Sequence, residues 1–225
     1  MMNPYKQTDR AIKAINQQIV RLFEPLRGMM AFDELNVMGK TKEIYTELES
    51  VTVSVYEQLT KLVYDTLWVW MVANGWAKEA DKPSRNPFDK AEIVWFLQQY
   101  DLVTKYVYTH ELERKQARLA EAILASYNAA DRATQIQRAM NLVARMVAQY
   151  AVTVTDWATR QAYIDAGVQY VQWITVPDER RCKECKARHG KVYPIDKVPP
   201  KPHYNCRCRL IPYRKGGNAD KSQGD

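Results

Sequence analysis

A chain of 225 residues and 26.2 kDa is long enough to bury a substantial core, as one large domain or two smaller ones. With 46% hydrophobic residues, and 14 Tyr and 6 Trp against 4 Phe, it is not a disordered protein, and its aromatic rings are of the kind that tolerates one wet edge. The net charge of +7 is unevenly held: Asp178 to Lys215 carries twelve Lys/Arg and four Asp/Glu, a balance of +8, so the remainder sums to −1, which argues against a molecule that coats nucleic acid along its whole length.

The opening "MMNPYKQTDRAIKAINQQIV" lacks an apolar core flanked by small residues and does not read as a signal peptide. The most apolar window, Thr66 to Ala73, is far shorter than the roughly 20 residues a spanning helix needs. These features predict a soluble protein made in a reducing cytoplasm, with no membrane partner.

Thr8 to Glu24 places Ile12, Ile15, Ile19, Leu22 and Phe23 at helical spacing, and Pro25 stops the helix. Ile44, Leu48, Val51, Val55, Leu59 and Leu62 then follow one another at intervals of three and four, which predicts a long amphipathic helix. "VTVSV" alone alternates like a strand, but the helical spacing on both sides decides for helix. "NGWAKEADKPSRNPFDK" reads as a loop, with Asn86 as N-cap, Pro87 at the first helical position and Asp89 near the positive end of the dipole. The next stretch carries Ile93, Val94, Leu97, Val103, Val107, Leu119 and Ile123, with a break expected near Gln99 to Asp101. Asn128, with Asp131 three residues on, starts another helix, whose stripe is Ala133, Ile136, Met140, Val143, Val147 and Tyr150. A last helix is expected over Asp156 to Ala166, ending at Gly167.

Beyond Gly167 the period changes. "VQYVQWITV" is β-branched and aromatic and closes at Pro177, so it reads as a strand, and "CRCRLIPY" can form a second. The expected fold is mainly α with a small C-terminal α+β module: a helical body over 1–167, a β-rich Cys/His module over 168–215, and a disordered tail over 216–225.

All four cysteines fall in that module, with none in the first 181 residues. Cys182-x2-Cys185 has the spacing of a zinc knuckle, and His203-x2-Cys206 repeats it. Cys208 competes, since residues two apart on a strand share a face. Cys182, Cys185, His203, Cys206 and Cys208 are therefore five candidates for four places on a structural zinc. Two disulfides, or four buried thiols, are the alternatives. A reducing compartment disfavours disulfides. A module of about 45 residues punctuated by Gly and Pro needs a cross-link, which disfavours plain thiols.

A catalytic zinc would keep a coordination position open beside a general base, whereas here spare ligands close the site. His189 reads as a turn residue and His110 as a solvated helix residue. With no phosphate loop, nucleophile elbow or Cys/His pair, nothing points to an enzyme or to a small-molecule substrate.

Trp173-Ile-Thr175, Asp178, Arg181-Cys182-x2-Cys185, Gly190-Lys-Val-Tyr193, Pro199-Pro200 and His203-x2-Cys206-Arg207-Cys208 together resemble the C-terminal half of the phage Mu F-like minor head proteins, the phage head morphogenesis family. The detailed resemblance spans Trp173 to Leu210; it departs at Tyr204, where the family usually carries Pro. A chain this short also leaves no room for the extra C-terminal domain that some relatives carry. The resemblance implies a minor structural protein of a tailed-phage head, assembled in the host cytoplasm and then held in the head interior near the portal. Its partners would be the portal protein and the inner capsid surface, and it would act in assembly and in DNA packaging or ejection.

In that setting Lys183, Lys186, Arg188, Lys191, Arg207 and Arg209 are candidate phosphate contacts to packaged DNA, without sequence preference. The competing reading is that these charges only keep the module soluble. Trp173 is expected to pack behind the metal, with Asp178 and Arg181 fixing the turn into Cys182. The alternative function is a stand-alone zinc-containing nucleic-acid-binding protein, against which the near-neutral helices speak.

Overall fold

A computed structural model describes residues 3, 5–29, 33–84, 88–104, 108–176, 182–203, 206 and 208–214, with backbone alone at 98–104 and 108–111. In chain order the helices are α1 (Tyr5–Phe23), α2 (Glu34–Ala73), α3 (Lys90–Thr104), α4 (Tyr108–Leu124) and α5 (Ala129–Asp165). Then come β1 (Tyr170–Ile174), α6 (Lys183–Arg188), β2 (Val192–Pro194) and β3 (Arg209–Tyr213). The fold is the expected one, mainly α with a small C-terminal α+β module.

The chain forms two compact units, one of residues 3–63 and 85–155, the other of residues 64–84 and 156–225, so the division falls within α2 and α5. In the first unit, α1 buries Ile15, Ile19 and Phe23 and gives way to a 3-10 turn at Glu24–Gly28, where Pro25 cannot continue the α-helical ladder. The buried line of α2 keeps Ile44, Leu48 and Leu59 of the aliphatic stripe but not the other three. Val51 and Val55 are only half-buried and Leu62 is 47% exposed, whereas Tyr45, Leu48, Thr52, Tyr56, Leu59 and Thr60 are buried. Threonine can take core positions here because its hydroxyl returns to the helix's own carbonyls: Thr52 Oγ1 donates to Glu49 O at 3.0 Å and Thr60 Oγ1 to Tyr56 O at 2.9 Å. The Tyr56 hydroxyl donates to Val147 O on α5 at 2.9 Å, and Thr8 and Thr155 share a buried hydroxyl contact of 2.7 Å.

Two predicted boundaries are corrected. No break occurs at Gln99 to Asp101, since α3 continues to Thr104. The helices expected to start at Asn128 and at Asp156 are one helix of 37 residues. Its sequence holds neither Gly nor Pro, and across its β-branched run Thr153 and Thr155 bond back to Gln149 O and Ala151 O. Asn128 caps α5 as expected, accepting from the Asp131 N–H at 2.9 Å. At α3 the cap is Asp89, which accepts from the Glu92 N–H at 2.9 Å; Asn86 and Pro87 lie outside the described residues, as does the tail.

In the second unit, α5 ends on Gly167 at φ +70°, with Gly167 N–H bonded to Ile164 O and Val168 N–H to Tyr163 O, both at 2.9 Å. This closure turns the chain directly into β1. β1 is the central strand of an antiparallel sheet of order β2-β1-β3, pairing Val171 with Tyr193 on one side and Trp173 with Leu210 on the other. Tyr163 reaches across from α5 to donate to Leu210 O at 3.1 Å, fixing β3 to the helix. β2 and α6 were not anticipated. A strand of three residues carries too short a period to read, and α6 is a helix of six residues over an unremarkable "KECKAR".

Candidate metal centre

Cys182 is the N-cap of α6: its Sγ accepts from the Cys185 N–H at 3.3 Å while its carbonyl accepts from Lys186. The x2 spacing therefore sets both sulfurs at one helix end, with Cys185 pointing into the core. Donation from that backbone N–H holds the Cys182 thiol below the ordinary cysteine range, whereas burial pushes Cys185 up to about 12.

Cys206 and Cys208 arrive just before β3, not within it as the sequence suggested, and both are buried. A hydrogen bond between them pushes the Cys206 thiol above the ordinary cysteine range and holds Cys208 below it. None of the four is in a disulfide.

Two ligand groups emerge among the described residues. Cys182, Cys185 and His203 have their donor atoms within 4.8 Å of one another, and so do Cys185, Cys206 and Cys208. Cys185 is common to both: its Sγ lies 3.2 Å from His203 Nε2 and 3.6 Å from Cys206 Sγ. A tetrahedron with metal–sulfur bonds of about 2.3 Å has edges of about 3.8 Å, slightly less to nitrogen. The donor set and spacing thus fit a closed thiolate/imidazole site for zinc. All five candidates are brought together, and Cys185 is the vertex they share.

The frame is built by β1. Trp173, 2% exposed, forms one buried cluster with Cys185, Cys206 and Cys208, flanked by Cys182, Tyr193, Val198 and Leu210. Gly190 donates to Trp173 O at 2.8 Å and Trp173 N–H to Lys191 O at 2.9 Å, latching the end of α6 to the strand. Gly190 sits at φ +78°, and an added Cβ would meet nothing within 4 Å. Gly190→Ala is thus expected to destabilise the second unit by about 1 to 2 kcal/mol through backbone strain alone, measured by urea unfolding.

The predicted basic residues separate into two sets. Lys183, Lys186 and Lys191 are exposed. Arg188 is engaged within the module: its guanidinium lies 5.2 Å from the Trp173 ring centroid, donates to Pro200 O at 2.6 Å and pairs with Glu184 at 3.7 Å. Arg209 is half-buried near the Tyr163 hydroxyl. Asp178, Arg181 and Arg207 lie outside the described residues. His189 is held away from the cysteines, its Nδ1 accepting from the Thr175 N–H at 3.1 Å.

Lys201 was missed. It donates to Cys206 O at 2.9 Å and pairs with Asp156 at 2.8 Å, anchoring the ligand loop to α5. Nothing in its local sequence marks it, because Asp156 is far away along the chain.

The family model described as Phage Mu protein F like protein matches residues 104–211. That stretch is phage Mu F-like. The match begins at the end of α3, well upstream of the Trp173 to Leu210 pattern that carried the resemblance, takes in α4 and α5, and closes within β3. No curated protein and no solved structure matches the chain. No described helix is long and apolar enough to cross a membrane.

Proposed function

We propose that the protein is a non-enzymatic minor head protein of a tailed phage, stationed at the capsid interior beside the portal and acting in head assembly and in DNA packaging or ejection. The observation that carries this reading is the Mu F-like stretch, which ends on the Cys/His cluster. In this reading the cluster would hold a zinc ion on four ligands drawn from Cys182, Cys185, His203, Cys206 and Cys208. The zinc supplies a cross-link and no chemistry, joining the start of α6 to the approach to β3. Co-sedimentation of the purified protein with assembled portal rings tests the placement. Binding to the ring is the expected result, while absence of binding together with sequence-preferring DNA affinity would move the protein to the regulator class.

Lys183, Lys186 and Lys191 remain the candidates for contact with packaged DNA. If three phosphates are neutralised, log affinity for duplex of any sequence falls against log salt with a slope of about −3, and K183A/K186A/K191A flattens it toward zero. A slope unchanged in the triple variant would reduce these lysines to solubilising charges.

A further inference from the structure

A pocket in the first unit, remote in sequence from the cysteines, has the lining of a binding site. Tyr45 of α2, Lys115, Arg118, Leu119 and Ala122 of α4, and Gln135, Arg138, Ala139 and Leu142 of α5 enclose about 210 Å³. No carboxylate is among these lining residues. Arg118 and Arg138 are exposed and make no ion pair among the described residues, and Leu142 stands 51% exposed at the rim.

Tyr45 is the second, independent observation. Only 4% of it is exposed, its ring packs on Phe23 at 5.6 Å, and its hydroxyl is buried without a hydrogen-bond partner. A buried hydroxyl left unsatisfied costs about 1 to 3 kcal/mol, so native structures rarely carry one without a reason. An acceptor delivered from outside would remove that cost.

We propose that this pocket receives a carboxylate on a short apolar stem, presented as a glutamate side chain by an acidic segment of a partner protein. The stem lies against Leu119, Ala122 and Leu142. The carboxylate accepts from the Tyr45 hydroxyl once the long side chains at the mouth turn aside, and Arg118 and Arg138 supply the opposite charge. Burial keeps the Tyr45 hydroxyl protonated and therefore a donor. The small volume and the apolar rim favour this occupant over a duplex, whose phosphates are bulky and spread along an open surface.

The test uses the full chain labelled with 13Cζ-tyrosine, the Tyr45 resonance being assigned by its absence in Tyr45→Phe. The probes are a short peptide alternating Glu and Leu, its Gln counterpart, and a DNA duplex. A saturable Tyr45 shift with the Glu peptide alone is expected. Anisotropy of the labelled peptide should show affinity about tenfold weaker in Tyr45→Phe and in Arg118→Ala/Arg138→Ala, with helicity by circular dichroism unchanged in both. Equal binding of the Gln peptide, a Tyr45 shift produced by the duplex instead, no shift with any probe, or undiminished affinity in the Arg118→Ala/Arg138→Ala variant would overturn the proposal.

Discussion

Replacing Cys185 and Cys206 together by serine is expected to abolish zinc binding and unfold the Cys/His module, leaving the helices of the first unit intact. Cys185 is the vertex shared by both ligand groups, and Cys206 lies 3.6 Å from it, so no set of four ligands survives the pair of changes. Structural zinc contributes apparent binding energies of about 10 to 16 kcal/mol in zinc-finger peptides, far more than a small module can lose and still fold. Elemental analysis should give one zinc per chain for the parent and none for the variant, and limited proteolysis should newly cleave the C-terminal region. A variant that keeps both its metal and its protease resistance would sink the zinc reading. Acid is expected to act in the same direction. Burial holds Cys185 up at about 12, so at neutral pH the metal must displace its proton, and lowering the pH strengthens the proton's side of that competition.

Trp173→Ala is expected to cost the second unit about 3 to 5 kcal/mol, the usual range for emptying a buried tryptophan site. Trp173 backs three of the four cysteines, meets Tyr193 edge-on at 6.4 Å between ring centroids, and carries the Arg188 guanidinium on its face. Its loss therefore removes the wall of the metal site and the seat of a cation together. Trp173→Phe should retain most of the packing and cost less. Urea unfolding followed by C-terminal proteolysis measures both variants; a loss below about 1 kcal/mol for Trp173→Ala would show the cluster to be self-supporting.

What the sequence disclosed was what local chemistry dictates. The Asn128 cap, the Gly167 stop and the change of period into β1 each rest on a few adjacent residues, and each was found where expected. The errors have equally physical causes. Aliphatic spacing placed Ile44, Leu48 and Leu59 of α2 correctly in the core but added Val51, Val55 and Leu62 and passed over Thr52 and Thr60, because threonines that bond back to their own helix do not look apolar. In α5 the stripe traced from Ala133 to Tyr150 and the expected last helix from Asp156 are parts of one continuous helix, which holds no Gly or Pro to divide it. At the site, clustering made the five ligand candidates legible, but the partners of Arg188 and Lys201 were not, since Trp173, Pro200 and Asp156 become neighbours only in the folded chain.

The small sheet also bears on how such a protein behaves in a crowded assembly. Among the described residues β1 is flanked on both sides, and each outer strand carries a proline, Pro194 in β2 and Pro212 in β3. Proline offers no N–H, so neither rim presents an unbroken row of donors to a stranger's backbone. Neighbouring molecules packed side by side would find no template for adding a strand. An attachment made there through side chains rather than an added strand can be specific without becoming a seed for fibres.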